Sequence, residues 1–268
     1  MTTAVWTLLE AVLWRERLVV VASLVTVIVL AWVWILLGAG MEMSTLEMTA
    51  MAGMDGWLMQ QAVWTPAYAA LVFAMWWVMM VAMMLPSAAP MLLLFARVNS
   101  RGKAGGPPLV PTGIFAAGYL AVWGLFSLLA AGLQWGLERT KLLSPMLETT
   151  NMWLGAGILA AAGLWQLTPI KRVCLQHCRS PLSFLLGRWR PGRRGAFRMG
   201  LEHGAYCLGC CWFLMALLFF GGVMNLYWIA GLAVFVLLEK TLSLGQWVGR
   251  LAGVLLILGA GALVLRTV

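Results

Sequence analysis

Five stretches of the chain carry no Asp, Glu, Lys or Arg: residues 18–41, 56–96, 104–137, 149–170 and 204–238. A helix that crosses a bilayer needs about 20 mainly apolar residues, so each stretch is long enough for a crossing. The composition agrees. Of the 268 residues 63% are apolar and 10% charged, against roughly a quarter charged in soluble domains. The expected fold is all-α, a polytopic transmembrane helix bundle in a single domain over 18–268.

Two of the runs are too long for one straight span. In 56–96 the helix is expected to begin near Pro66, with Trp57–Trp64 at the outer interface. Pro86 and Pro90 then bend or end it, because proline removes a backbone donor and clashes with the preceding turn. A helix over all of 204–238 would be about 52 Å long, well beyond the roughly 30 Å hydrocarbon core, and GGVMN at 221–225 offers a turn between two shorter spans. The last apolar stretch, 241–265, is interrupted by Arg250. The count is seven spans, near 18–38, 66–88, 112–135, 151–169, 203–221, 224–238 and 249–266; the sixth is short, which keeps a six-span alternative open. Ahead of them, residues 1–17 read as an interfacial helix with Val5, Leu8, Leu9 and Val12 on one face. The first apolar run is too long for a signal-peptide core.

Charge orients the bundle. Arg15 and Arg17 precede the first span, and Arg97, Arg101 and Lys103 follow the second. A basic loop over 171–199 holds Lys171, Arg172, Arg179, Arg188, Arg190, Arg193, Arg194 and Arg198 with no acidic residue among them. The alternate loops carry Glu42, Glu47 and Asp55, then a mixed set over 138–148. The positive-inside rule puts the N-terminus and the basic loop in the cytoplasm; with seven spans the C-terminus is outside. The net charge of +9 thus reports topology and contact with anionic lipid, and no nucleic-acid partner is expected.

All five cysteines fall between 174 and 211, together with both histidines of the chain. If the fourth span's helix continues past Pro169, Cys174, His177 and Cys178 share one face within about 100°, and His203, Cys207, Cys210 and Cys211 do so on the first turns of the fifth span. A free cysteine ordinarily packs as a small hydrophobe, but five beside two histidines suit soft-metal ligation. A cytoplasmic setting argues against a structural disulfide, and the surrounding arginines favour thiolate, the form that binds metal or attacks disulfides. Zinc is one candidate, although CxxxC followed by CxxCC is not a familiar zinc-ribbon spacing.

The methionines point to Cu(I). Twelve of the eighteen lie between 41 and 91. An outer loop over 41–65 places Met41, Met43, Met48, Met51, Met54 and Met59 in a polar, acidic context where packing has little use for them. Thioethers are uncharged soft donors that suit Cu(I). In the second span Met75, Met79 and Met83 stack at i, i+4, i+8, with Met80 and Met84 on a neighbouring face; methionine at this spacing also serves as core filling. The ligand order is thioethers outside, thioethers within a span and thiolates inside.

Glu202, Asn225, Glu239 and Lys240 sit near expected bilayer borders, where charge is cheaper than at the midplane. The Glu239–Lys240 pair reads most simply as an interfacial stop. Asn151 and Gln166 could cross-link helices. No nucleotide-binding loop, Ser/His/Asp array or haem CxxCH is present, so neither an enzyme nor an ATP-driven pump is expected.

Five phrases in order carry a resemblance: MVAMMLPSAAPM (80–91), GYLAVW (118–123), QLTPIKRVCLQHCRSP (166–181), CLGCCWFLM (207–215) and MNLYW (224–228) with EK (239–240). Over roughly 65–245 they resemble the bacterial family of predicted metal-binding integral membrane proteins. The resemblance implies a multi-pass protein of the bacterial inner membrane that binds metal, with copper the usual suggestion. It carries over to Cys174, Cys178, Cys207, Cys210 and Cys211, with Met84, Pro86 and Pro90 as motif positions. The reading taken forward is uptake of Cu(I), or its delivery to a copper-accepting protein or membrane complex. The alternatives are a thiol–disulfide relay through Cys207 and Cys210, and a non-catalytic subunit with a Cys-bound zinc.

Overall fold

The computed structural model describes residues 2–41, 43–51, 63–101, 109–144 and 147–266, with the helical backbone alone for 2–16, 100–101 and 109. Among these residues the chain is helical apart from turns and one isolated bridge between Leu143 and Thr149. In chain order the helices are α1 (Thr2–Leu36), α2 (Thr45–Ala50), α3 (Pro66–Arg101), α4 (Leu109–Arg139), α5 (Met152–Leu167), α6 (Pro169–Arg179), α7 (Pro181–Arg188), α8 (Gly192–Ala216), α9 (Leu218–Gly221), α10 (Leu226–Thr241) and α11 (Gly245–Leu265). Five segments are long and apolar enough to cross a membrane: Arg17–Leu36, Pro66–Asn99, Val110–Arg139, Gly192–Gly221 and Gly245–Leu265. α5 and α6 make a sixth only if the 65° bend between them lies within one broken span. Outward faces are apolar. Leu30, Leu129 and Leu258 are each more than 60% exposed, which suits hydrocarbon and not water.

Several boundaries differ from the sequence expectation. α1 runs without a break through the segment expected as a separate interfacial helix. α3 continues past Pro86 and Pro90 to Arg101; prolines persist inside spanning helices when neighbouring helices re-satisfy the freed backbone groups, and α3 packs against α1, α4 and α10. The basic stretch is not a loop but α6, α7 and the start of α8. Thr168 caps α6 by accepting from the Lys171 amide, and Pro169 and Pro181 occupy first-turn positions where proline's missing donor costs nothing. α10 has 16 residues, about 24 Å, and falls short of the roughly 30 Å core.

Glycines set the two closest helix pairs. A Cβ on Gly118 of α4 would lie 2.3 Å from the Phe197 carbonyl oxygen, and one on Gly200 of α8 would lie 2.1 Å from that of Phe115. α4 and α8 therefore touch backbone to backbone. Likewise a Cβ on Gly163 of α5 would lie 2.7 Å from the Gly253 carbonyl oxygen of α11. Small residues that admit such approach are the usual adhesive between helices in lipid, where hydrophobicity alone does not pair them. The main core lies where α3, α4, α8 and α10 meet, and Trp76, Trp123, Tyr119, Met75, Met79, Met80, Met83 and Met84 are completely buried in it.

Candidate metal centre

α8 begins at Gly192, where a left-handed φ of 79° follows Pro191. The helix thus starts well before the expected 203, and Cys207, Cys210 and Cys211 lie in its middle, not on its first turns. All three are at most 1% exposed. Gly200 and Gly204 lie one and two turns before them on the same side of the helix, where α4 approaches closely. The Cys210 and Cys211 thiols donate back to the Cys207 carbonyl at 3.0 and 2.9 Å.

Four other helices close on these sulfurs. From α4, Tyr119 Oη stands 3.1 Å from Cys207 Sγ and donates to the Met84 carbonyl at 3.3 Å. From α3, Met84 Sδ lies 3.9 Å from Cys211 Sγ. From α10, Lys240 Nζ donates to Cys207 Sγ and to Ser87 Oγ, both at 3.0 Å, and Ser87 in turn donates to the Met84 carbonyl at 2.8 Å. From α6, Cys178 packs against the core that holds these sulfurs, with Cys207 and Cys210 as neighbours. Cys174, one turn earlier, packs against the α8 backbone at Gly209, where a Cβ would come within 2.9 Å of its sulfur. Cys174 and Cys178 are half-buried, in contrast to the sealed Cys207, Cys210 and Cys211. All five cysteines are free thiols.

The charge arrangement is specific. Lys240 is 8% exposed and, among the described residues, makes no ion pair with a carboxylate. A buried ammonium is costly without a counter-charge, and the Cys207 sulfur is the adjacent donor able to supply one as thiolate. The neighbouring Glu239 is occupied elsewhere: its Oε1 meets Lys171 Nζ at 2.6 Å, with both side chains 2% exposed. The pair expected as an interfacial stop is thus inside the bundle.

The histidines are engaged mainly with aromatic rings. His177 stacks on Tyr206, ring centroids 4.1 Å apart and nearly parallel, while its Nδ1 faces the Val173 carbonyl at 2.9 Å. His203 is buried among the rings of Phe115, Tyr119 and Phe184 with Nδ1 unpartnered. Among the described residues no three His, Cys, Asp or Glu side chains surround a common point as a ready-made cage.

The methionines divide into two groups. Met75, Met79 and Met83 are at most 1% exposed and lie about 13, 20 and 26 Å along α3 from Pro66 at a rise of 1.5 Å per residue. They form a buried file ending beside Met84 and the thiols. Met215 and Met224, which the sequence reading did not single out, join the same core. In the segment over 41–51 Met41 and Met48 pack against the core and Met43 and Met51 are partly buried, so these thioethers are less free than their polar surroundings suggested. Met54 and Met59 lie outside the described residues. α2 is fastened there by a reciprocal cap between Ser44 and Glu47, whose hydrogen bonds hold the exposed Glu47 carboxyl below its ordinary range. The Thr45 hydroxyl donates to the Ile35 carbonyl, and Thr49 Oγ1 accepts from the Leu226 amide at 2.9 Å, joining α2 to α1 and α10.

Tyr119, Ser87 and Lys240 were missed as site residues, and Met84 was noted only as a motif position. Tyr119 and Lys240 do fall within the GYLAVW and EK phrases, which was the available signal. A family model described as PpoB2, copper chaperone, matches residues 73–263. Neither a curated protein nor a solved structure matches the chain.

Proposed function

Since the chain belongs to the PpoB2 copper-chaperone family, we propose that it is a multi-pass inner-membrane protein that accepts Cu(I) and passes it to a partner. The observation that carries the reading is the meeting of Cys178, Cys207, Cys210, Cys211 and Met84 in one apolar core. These are soft donors, the ligand class that selects Cu(I). Cu(I) is satisfied by two or three such donors and needs no closed four-ligand cage, whereas a structural zinc site does. The file of Met75, Met79 and Met83 supplies neutral thioethers along the approach, and half-buried Cys178 and Cys174 supply the way out.

In this reading the N-terminus and the arginine-rich α6–α8 region face the cytoplasm, with α5–α6 and the short α10 completing a seven-helix membrane domain. Cu(I) is cargo, bound first as a thioether complex and then held by thiolates. Lys240 offsets the negative charge that two thiolates leave on a monovalent ion.

Elemental mass spectrometry of the purified protein, beside a variant with all five cysteines changed to alanine, tests the proposal. The expected result is about one or two equivalents of copper in the native chain and none in the variant. Copper retained by the variant rules out the thiol site, and zinc in place of copper supports the structural-subunit alternative.

A further inference from the structure

α6 is the least well packed of the helices that touch the thiols. It has 11 residues, of which only Lys171 and Leu175 are buried, and the 65° bend at Thr168 separates it from α5. Its packing is against α8, through Leu175, Cys174 and Cys178. Two polar attachments fasten its ends. At one end Lys171 Nζ meets Glu239 Oε1 at 2.6 Å. At the other, Arg179 Nη2 donates to the Leu242 carbonyl and to that of Ser243 at 3.0 Å. Both anchor α6 to the end of α10 and the turn after it.

α10 and α11 are shaped for the first attachment. A Cβ on Gly249 would lie 2.2 Å from Glu239 Oε1, so α11 leaves a notch for this carboxylate. Beside it lies a cavity of about 20 Å³ bordered by Gln166, Lys171, Glu239 and Arg250. Gln166 is 6% exposed with neither amide atom partnered. A space of this size holds about one water, which would solvate the carboxylate when the pair opens.

We propose that Lys171 and Glu239 form a positioning clamp that holds Cys178 and Cys174 against the α8 thiols, and that α6 is the movable half of the site. Glu239 and Lys240 are adjacent on one helix: the first grips the helix that carries Cys178, and the second touches Cys207. The end of α10 thereby sets the distance between the two thiol groups. The purpose of the clamp rests on the copper reading above, but its geometry and its test do not.

The test uses the full chain without metal. Alkylation of each cysteine by N-ethylmaleimide is followed by peptide mass spectrometry, and bridging of Cys178 to Cys207 by dibromobimane is followed in a chain retaining only those two cysteines. In E239Q, alkylation of Cys174 and Cys178 is expected to rise at least tenfold and bridging to fall at least tenfold, while Cys207, Cys210 and Cys211 stay protected in the otherwise native chain. The swapped double variant K171E/E239K is expected to restore both rates, which a merely destabilised protein would not do. Should E239Q fail to accumulate, K171M/E239M leaves no unpaired charge and gives the same two readouts. Wild-type rates in E239Q or in K171M/E239M, or a swap that folds without restoring them, overturn the clamp. A chain that shows these rates but binds no copper overturns the copper reading alone.

Discussion

Lys240 places its ammonium 3.0 Å from the Cys207 sulfur, inside the bundle and next to a sequence neighbour that points elsewhere. Two thiolates on Cu(I) leave one net negative charge, and burying it without compensation is expensive. Lys240→Met is therefore expected to weaken Cu(I) binding by tenfold or more, following from the loss of a charge-assisted hydrogen bond of about 1.5–3 kcal/mol. Competition against a colourimetric Cu(I) chelator measures it. Lys240→Arg should recover part of the loss, since the charge remains but the compact geometry does not.

Met84 tests whether the thioether beside Cys211 is a ligand or filling. Met84→Leu conserves volume, a change that usually costs less than about 1.5 kcal/mol of stability. The expected outcome is near-native thermal stability with weaker copper binding and the loss of a sulfur neighbour in copper X-ray absorption. Met75→Leu, higher in the file, should slow loading but leave the final copper content unchanged.

The α4–α8 contact is expected to be intolerant of any side chain. In Gly200→Ala the new Cβ would meet the Phe115 carbonyl at 2.1 Å, and a backbone atom cannot swing aside. Overpacking of this kind costs roughly 1–3 kcal/mol. The variant should melt at a lower temperature in detergent, and Cys207 should become reactive to maleimide as Tyr119 moves away.

Far from the thiols, a buried chain of hydrogen bonds should matter to stability alone. Glu138 accepts from Trp64 Nε1 at 2.6 Å and from Gln134 Nε2 at 2.8 Å, and Gln134 accepts from Trp76 Nε1 at 2.8 Å. Glu138 is about 28 Å along α4 from Tyr119 at the helical rise. Glu138→Ala strands the buried Gln134 amide, at about 1–3 kcal/mol, and frees the half-buried Trp64 indole. A clear fall in melting temperature is expected with copper content unaltered; lost copper would tie this end of the bundle to the metal site.

What could be read from the chain in advance was whatever depends on period alone. The gathering of Cys207, Cys210 and Cys211 on one face needs only 3.6 residues per turn, and the structure keeps it. The buried file of Met75, Met79 and Met83 follows from the same spacing. Glu239 and Lys240 could not be placed that way. Their position in the chain suggests a membrane border, and only the arrival of α6 with Lys171 and of α8 with Cys207 gives them buried partners. The arginines of 171–199 pulled that stretch towards a loop, although Thr168–Pro169 and Ser180–Pro181 already carried helix-start signals. For Met41 and Met48, polar sequence neighbours hid the side that packs on the core.

The meeting of α4 and α8 through Gly118 and Gly200 has a consequence for how the site behaves outside its native setting. Where side chains separate two helices, their spacing responds to every change in what packs around them. Here main chain rests on main chain, and there is no compressible layer to adjust. The separation of Tyr119 from Cys207 is consequently fixed in the manner of a machined stop. It should survive transfer between bilayers of different thickness and into detergent, so that the reactivity of Cys207 in purified protein reports the dimensions it has in the cell.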